Sequence, residues 1–307
     1  MDNKSTREGF GDEILELGID SRIVALTADL GSSLKLNNFK KAFPERYFNV
    51  GVAEQNMASI SAGLALEGMI PFMTSFVAFS PYRNFDQIRT SIAYSNANVK
   101  ICSSHAGLSV GEDGATHQAL EDISMMRSLP NMIVLVPADY EEARRIVKAA
   151  YNYEGPVYIR LGREKFSVIT KNRKFKIGKA DVLRKGKNIT IIACGIMVGK
   201  ALDAAELLEK KGIDVEVINS PSIKPFDSET LLKSIRKTGY LVSCEEHQIC
   251  GGLGSVVSEV LVKNYPIPME FIGVNDSFGE SGSSEEVLKK YGLTVEHIVK
   301  TVLKLKS

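Results

Sequence analysis

The sequence predicts an α/β protein of two domains, each a mostly parallel sheet flanked by helices. Three observations carry this. Short β-rich runs alternate with helical patterns along nearly the whole chain, the order that builds parallel sheets covered on both faces. At 307 residues the chain is too long for one ordinary core. One basic, glycine-punctuated stretch, TKNRKFKIGKADVLRKGKN (170–188), breaks the alternation and reads as a linker or an exposed hairpin. The division falls between residues 1–172 and 173–307.

In the first domain RIVALTAD (22–29) reads as a buried strand with a polar end. EQNMASISAGLALEG (54–68) reads as a helix of small residues able to pack closely. MIPFMTSF (69–76), NVKICSS (98–104), MIVLVP (132–137) and PVYIRL (156–161) are strand-like. YRNFDQIRTSIAYS, LEDISMMRSL and YEEARRIVKAAYN supply helices between them. The second domain repeats the alternation in ITIIACG, VGKALDAAELLEKKG, VEVINSPSI, SETLLKSIRKTG, YLVSCEE, GLGSVVSEVLVKN and MEFIGV. It closes with the helical SEEVLKKYG and VEHIVKTVLKLK. Ligands of such sheets bind beyond the carboxyl ends of the strands.

Composition narrows the function. Apolar content of 44% and charged content of 24% are those of a soluble globular protein. A net charge of +1 gives no reason to expect nucleic acid or a membrane surface as partner. No apolar run has the length of a membrane span, and the opening MDNKSTREGFGDEILELG lacks the apolar core of a signal peptide. The scattered Cys102, Cys194, Cys244 and Cys250 are then expected as reduced thiols in the cytoplasm.

Several residues could carry chemistry. Glu54, in NVGVAEQNM, stands at a strand-to-helix junction, where the helix dipole favours its charge; it is either a first-turn cap or a functional carboxylate. Phe76, Phe79 and Tyr82 are spaced to line a pocket wall or to fill core. In SSHAGLSVGEDGATHQALEDI (103–123), Gly107, Gly111 and Gly114 prevent a regular helix and admit close backbone approach. His105, Asp113 and His117 fit three readings there: a solvated loop, a metal site, or contacts to a polyhydroxylated substrate. Arg163, just after a strand, is a surface charge or a bidentate phosphate ligand. The spacing of Cys244, His247 and Cys250 fits no common zinc pattern, GGLGS lacks the GxGxxG order, and no P-loop or HExxH occurs.

TREGFGDEILELG, ADLGSS, VGVAEQNM, FVAF, VGEDGATHQALED and FGESGSSEEVLKKYGLT follow one another in the order and spacing of transketolase. The chain therefore resembles that family over nearly its whole length, but only its C-terminal section: a pyrimidine-binding domain and the small C-terminal domain. The diphosphate-binding domain with its GDG…N motif has no match here. The resemblance implies a split transketolase, inactive without an N-terminal subunit, in an α2β2 assembly. That partner would hold the Mg2+ (or Ca2+) of the cofactor, and no metal ligand is assigned to this chain.

By position, Glu54 resembles the glutamate that binds the aminopyrimidine of thiamine diphosphate, where burial of a carboxyl favours sharing a proton. Phe79 resembles the ring stacked on that pyrimidine, with Phe76 and Tyr82 beside it, and Asp29 an acid near the cofactor at the subunit interface. Glu54, His117 and His105 are the implied catalytic residues. Arg7, Ser33, His105 and Arg163 resemble the group that grips the phosphate of a sugar phosphate, while Asp113 reads a sugar hydroxyl and His117 lies near the donor carbonyl. Two departures from the family pattern are Ala115 in place of proline and Ala106 where aspartate is frequent. The C-terminal domain offers no site and is assigned to assembly.

The β subunit of a 2-oxo acid dehydrogenase E1 component shares the AEQ glutamate, but its substrates need no sugar-phosphate clamp. Deoxyxylulose-5-phosphate synthase, usually a single chain, is more distant. A non-catalytic regulatory subunit on the same fold would have no use for Glu54 and both histidines.

Overall fold

The computed structural model describes residues 3–306. Its strands form two sheets. The first has seven strands: β1 (Ile23–Thr27), β2 (Tyr47–Asn49), β3 (Ile70–Phe76), β4 (Lys100–Ser104), β5 (Ile133–Leu135), β6 (Val157–Arg160) and β10 (Ser222–Lys224), in the order β10-β5-β6-β4-β3-β1-β2. The second has β7 (Asp181–Arg184), β8 (Ile189–Ala193), β9 (Val215–Asn219), β11 (Leu241–Gln248) and β12 (Met269–Val274), in the order β12-β11-β8-β9-β7. Only β10 and β7, each at a sheet edge, run antiparallel to their neighbours. IVALT and ITIIA are buried at every position, as parallel strands covered on both faces must be.

Helices cover the sheets: α1 (Thr6–Leu17), α2 (Asn37–Ala42), α3 (Glu54–Leu66), α4 (Phe85–Gln87), α5 (Asp122–Ser128) and α6 (Tyr140–Asn152) belong to the first. α7 (Met197–Glu209), α8 (Ser228–Thr238), α9 (Leu253–Asn264), α10 (Ser284–Lys290) and α11 (Val295–Lys306) belong to the second. No helix of the described residues is long and apolar enough to cross a membrane. Caps fix the starts of several. Ser5 and Glu8 close a capping box on α1, and Asp139 caps α6 through the Glu142 N–H.

Three expectations are revised. The run VEVINSPSI is not one strand: Pro221 follows β9, and β10 crosses to pair with β5 in the first sheet. The Pro221 carbonyl accepts from Val136 N–H at 2.8 Å, so the two halves are stitched, and one apolar core runs from Met126 and Val134 to Ile218, Ile223 and Leu231. The stretch 170–188 contains a true edge strand, β7, rather than a free linker. The helix expected over YRNFDQIRTSIAYS starts only at Phe85, because a turn behind Pro81 uses Tyr82–Asn84; it then widens into π-helical turns over Ile88–Ala93.

What matters for a site is direction. β1 to β6 are mutually parallel, so Asp29, Phe79, His105 and Arg163 all follow carboxyl ends on one edge of the sheet.

Candidate active site

His105 is the centre of the arrangement. It follows β4 directly and has φ +61°, an uncommon backbone for a side chain of its size. Its ring lies 3.7 Å from the Phe76 centroid. Nε2 is 3.3 Å from Arg7 Nη1 and Nδ1 is 2.7 Å from Ser104 Oγ. A guanidinium can only donate, so Nε2 accepts and the proton resides on Nδ1, donated to Ser104. Burial first, then the charges of Arg7, Arg163 and His117, push the His105 pKa down to about 3. The imidazole is neutral across the physiological range.

Two cations flank it. Arg7, on the first turn of α1, donates from Nη1 to the Ser33 carbonyl at 3.1 Å, while its buried Nε has no partner. Burial, and then the nearby Arg163, lower its pKa. Arg163 donates to the Val110 carbonyl at 3.0 Å and pairs with Asp113 at 3.5 Å. Two half-buried guanidiniums that repel each other form a place where an anion is stabilised. Ser33 enters through its backbone.

The second cluster lies around Glu54, which is 4% exposed at the first residue of α3. The capping alternative is not what the structure shows. Among the described residues its carboxylate accepts only from Arg83 Nη1, at 3.4 and 3.5 Å, and from no helix N–H. The Arg83 guanidinium also covers the Phe79 ring, 4.1 Å from its centroid. Phe79 stacks on Phe76 at 5.9 Å and meets the His117 ring edge-on at 5.3 Å. Glu54, Arg83, Phe79, Phe76, His105 and His117 thus form one continuous wall.

Loop 107–114 turns sharply at three glycines and leaves Asp113 exposed against Arg163. His117 is half-buried, with Nδ1 3.0 Å from Thr116 Oγ1. Two residues expected in the site stand apart. Tyr82 points to Glu121, donating to its carboxylate at 2.5 Å, and belongs to a neighbouring network instead of the ring stack. Asp29, with φ +62°, is exposed and bonded to Asn49 at 2.9 and 3.0 Å.

Arg83 and Ser104 join the site without having stood out in the sequence: Arg83 lies four residues after Phe79, and Ser104 ends β4 beside His105. Among the described residues, no group of three or more His, Cys, Asp or Glu side chains could hold a metal ion. Cys244 is buried, Cys250 is exposed, and the His247 Nδ1 lies 2.7 Å from the Gln248 carbonyl.

Val52, in the loop before Glu54, Phe48 on β2 and Ile60 on α3 are exposed apolar residues.

Comparison with known proteins fits this geometry. Residues 2–167 match the family model of the transketolase pyrimidine-binding domain, and residues 178–298 match that of the transketolase C-terminal domain. A protein of Methanocaldococcus jannaschii described as a transketolase C-terminal section is 44% identical over 305 residues, covering 98% of this chain and 96% of the relative. A 6-deoxy-6-sulfo-D-fructose transketolase subunit of a Clostridium species is 44% identical over 296 residues, covering 96% and 92%. The solved structure of a split-gene transketolase, described as an inactive β4 tetramer, superposes with a TM-score of 0.92 at 50% identity, covering 98% of both chains.

Proposed function

This chain belongs to the transketolase family, and we propose that it is the C-terminal subunit of a split transketolase. It would move a two-carbon ketol unit from a ketose phosphate to an aldose phosphate when an N-terminal subunit completes the site, and be inactive alone. The labour divides with the chain, at residues 1–172 and 173–307. The observation that carries the reading is the half-site itself. Glu54 is 4% exposed, its carboxylate meets only Arg83 among the described residues, at 3.4 and 3.5 Å, and the same guanidinium covers the Phe79 ring. The incompleteness supports a second kind of chain in the assembly, which we take as α2β2. The split-gene transketolase described as an inactive β4 tetramer is in keeping with it.

Thiamine diphosphate fits the residues present. A buried carboxylate with spare acceptor capacity suits a protonated ring nitrogen, and a half-buried phenyl face suits a flat heterocycle. Glu54 and Phe79 would hold its aminopyrimidine, with Phe76 supporting Phe79; Asp29, exposed and apart from the rings, would approach it only at the interface with the partner, which would hold Mg2+ (or Ca2+). When bound, the cofactor supplies the nucleophilic carbon and the electron sink that breaking a carbon–carbon bond beside a ketone requires.

This chain's residues then have distinct tasks. Arg7 and Arg163, with the Ser33 carbonyl fixing Arg7, bind the phosphate of the sugar. His105 stays neutral, stores its proton on Nδ1, and keeps Arg7 aimed. Asp113 accepts from a sugar hydroxyl, and His117, bonded among the described residues only at Nδ1, retains Nε2 for proton exchange at the donor oxygen.

The E1 reading is not favoured, because paired guanidiniums around His105 serve a phosphate that a 2-oxo acid lacks. The relative described as a 6-deoxy-6-sulfo-D-fructose transketolase subunit argues for testing several donors. Mixing the chain with the N-terminal subunit, thiamine diphosphate and magnesium should give ketol transfer from xylulose 5-phosphate or a related ketose to ribose 5-phosphate. A mixture that decarboxylates 2-oxo acids and transfers nothing between sugars would refute the proposal.

A further inference from the structure

Loop 107–114 carries Asp113 and leads into His117. Its glycines, Gly107, Gly111 and Gly114, have φ of +76°, +78° and +74°. Each faces a group from the second sheet's half of the chain. A Cβ at Gly107 would lie 2.3 Å from the Glu246 carboxyl carbon, one at Gly111 3.2 Å from Ser284 N, and one at Gly114 2.4 Å from Ser281 Oγ. Their ψ values, −168°, −116° and −170°, lie far from the left-handed helical basin and in backbone that glycine alone adopts readily. These positions answer to a second demand, close approach across the domain boundary.

Glu246, on β11, makes the most specific of these contacts. Its Oε1 accepts the Ser109 N–H inside the loop. Its carbonyl accepts from Arg160 Nη2 at 2.9 Å. Arg160 Nε is gripped by both oxygens of Asp122, at 3.1 and 2.9 Å, and Asp122 accepts from the Tyr158 hydroxyl at 2.7 Å. Asp122, Arg160 and Glu246 are 0%, 6% and 5% exposed, so water does not compete for these bonds. On the other side of the loop Gln118 Nε2 donates to the Gly111 carbonyl at 3.1 Å and to the Glu280 carbonyl at 2.9 Å. The loop is clamped between β11 and the segment before α10.

We propose that Glu246 is a positioning residue of the sugar site: from the second sheet it holds loop 107–114 so that Asp113 meets Arg163 and His117 stands edge-on to Phe79. The proposal rests on the reading of this wall as the sugar face, and gives the C-terminal half a task beyond assembly. Glu246 touches no substrate and acts only through the Ser109 amide and the space at Gly107.

The test compares Glu246→Ala with Glu246→Gln, which keeps an oxygen for the Ser109 N–H, in the full chain combined with its N-terminal subunit, thiamine diphosphate and magnesium. Losing the bond to a buried amide should raise KM for the phosphorylated donor about tenfold. Cofactor affinity should stay within about twofold, and Glu246→Gln should recover most of the loss. Hydrogen exchange of the chain alone supplies a readout independent of activity. Residues 106–118 should exchange faster in Glu246→Ala but not in Glu246→Gln, with α3 unchanged. Unchanged exchange at 106–118, a rise spread over both sheets, or equal effects on donor KM and cofactor affinity would overturn the proposal. If Glu246→Ala does not fold, Glu246→Asp, which withdraws the carboxylate by one methylene, takes its place under the same criteria. An unmodified complex that transfers no ketol unit would defeat the functional reading, and exchange would still decide the positioning claim.

Discussion

Replacing His105 by asparagine isolates the electrostatics of the site in one stability difference. The native imidazole, buried beside Arg7 and Arg163, has its pKa pushed down to about 3, against an ordinary value of 6.5. The unfolded chain therefore binds a proton between those values that the native state refuses. The resulting stability is fully present above the unfolded pKa and falls as pH drops toward the native one. Between about pH 7.5 and about pH 5 the imidazole of the unfolded chain gains about 2 kcal/mol from protonation, and the folded one gains almost nothing. Asparagine suits the left-handed backbone at this position and does not titrate. Chemical denaturation of both proteins at the two pH values should show the unsubstituted chain losing about 2 kcal/mol more than His105→Asn over the interval. Equal losses would mean that His105 titrates normally, and the neutral, Nδ1-protonated imidazole would be wrong.

Other expectations follow from single contacts. Glu54→Gln should lower ketol transfer by about a hundredfold or more while leaving assembly with the N-terminal subunit intact, measured by turnover and sedimentation; retained turnover would remove its catalytic role. Arg163→Ala should raise KM for a phosphorylated sugar roughly tenfold and leave an unphosphorylated analogue nearly unaffected, whereas equal effects would reject the phosphate clamp. Asp122→Ala leaves the buried Arg160 uncompensated and should cost about 3–5 kcal/mol in denaturant unfolding; a loss below about 1 kcal/mol would show that water reaches the pair.

The strands were legible because parallel strands buried on both faces read as unbroken apolar runs, as in ITIIA and IVALT. Helix α1 escaped notice because Gly9 and Gly11 look unhelical. Both are there for contact: a Cβ at Gly9 would lie 2.5 Å from the Tyr140 carbonyl of α6, and one at Gly11 would lie 2.5 Å from Lys35. β10 was hidden because joining the first sheet is a decision of topology, made past Pro221. In the site, His105, Asp113 and His117 share one short stretch and could be named together. Tyr82 follows the spacing of the ring stripe but turns to Glu121, which no spacing encodes. Glu246 lies 137 residues from its partner Ser109, and only the fold brings the two together.

On the proposed function, this chain holds half of a thiamine site and another chain holds the rest. Calorimetric titration of thiamine diphosphate with magnesium tests it directly, into this chain alone, into the N-terminal subunit alone, and into their mixture. Saturable binding in the mixture, weakened by Glu54→Gln, is expected, with no comparable binding to this chain by itself. Binding of equal strength to this chain alone would contradict it.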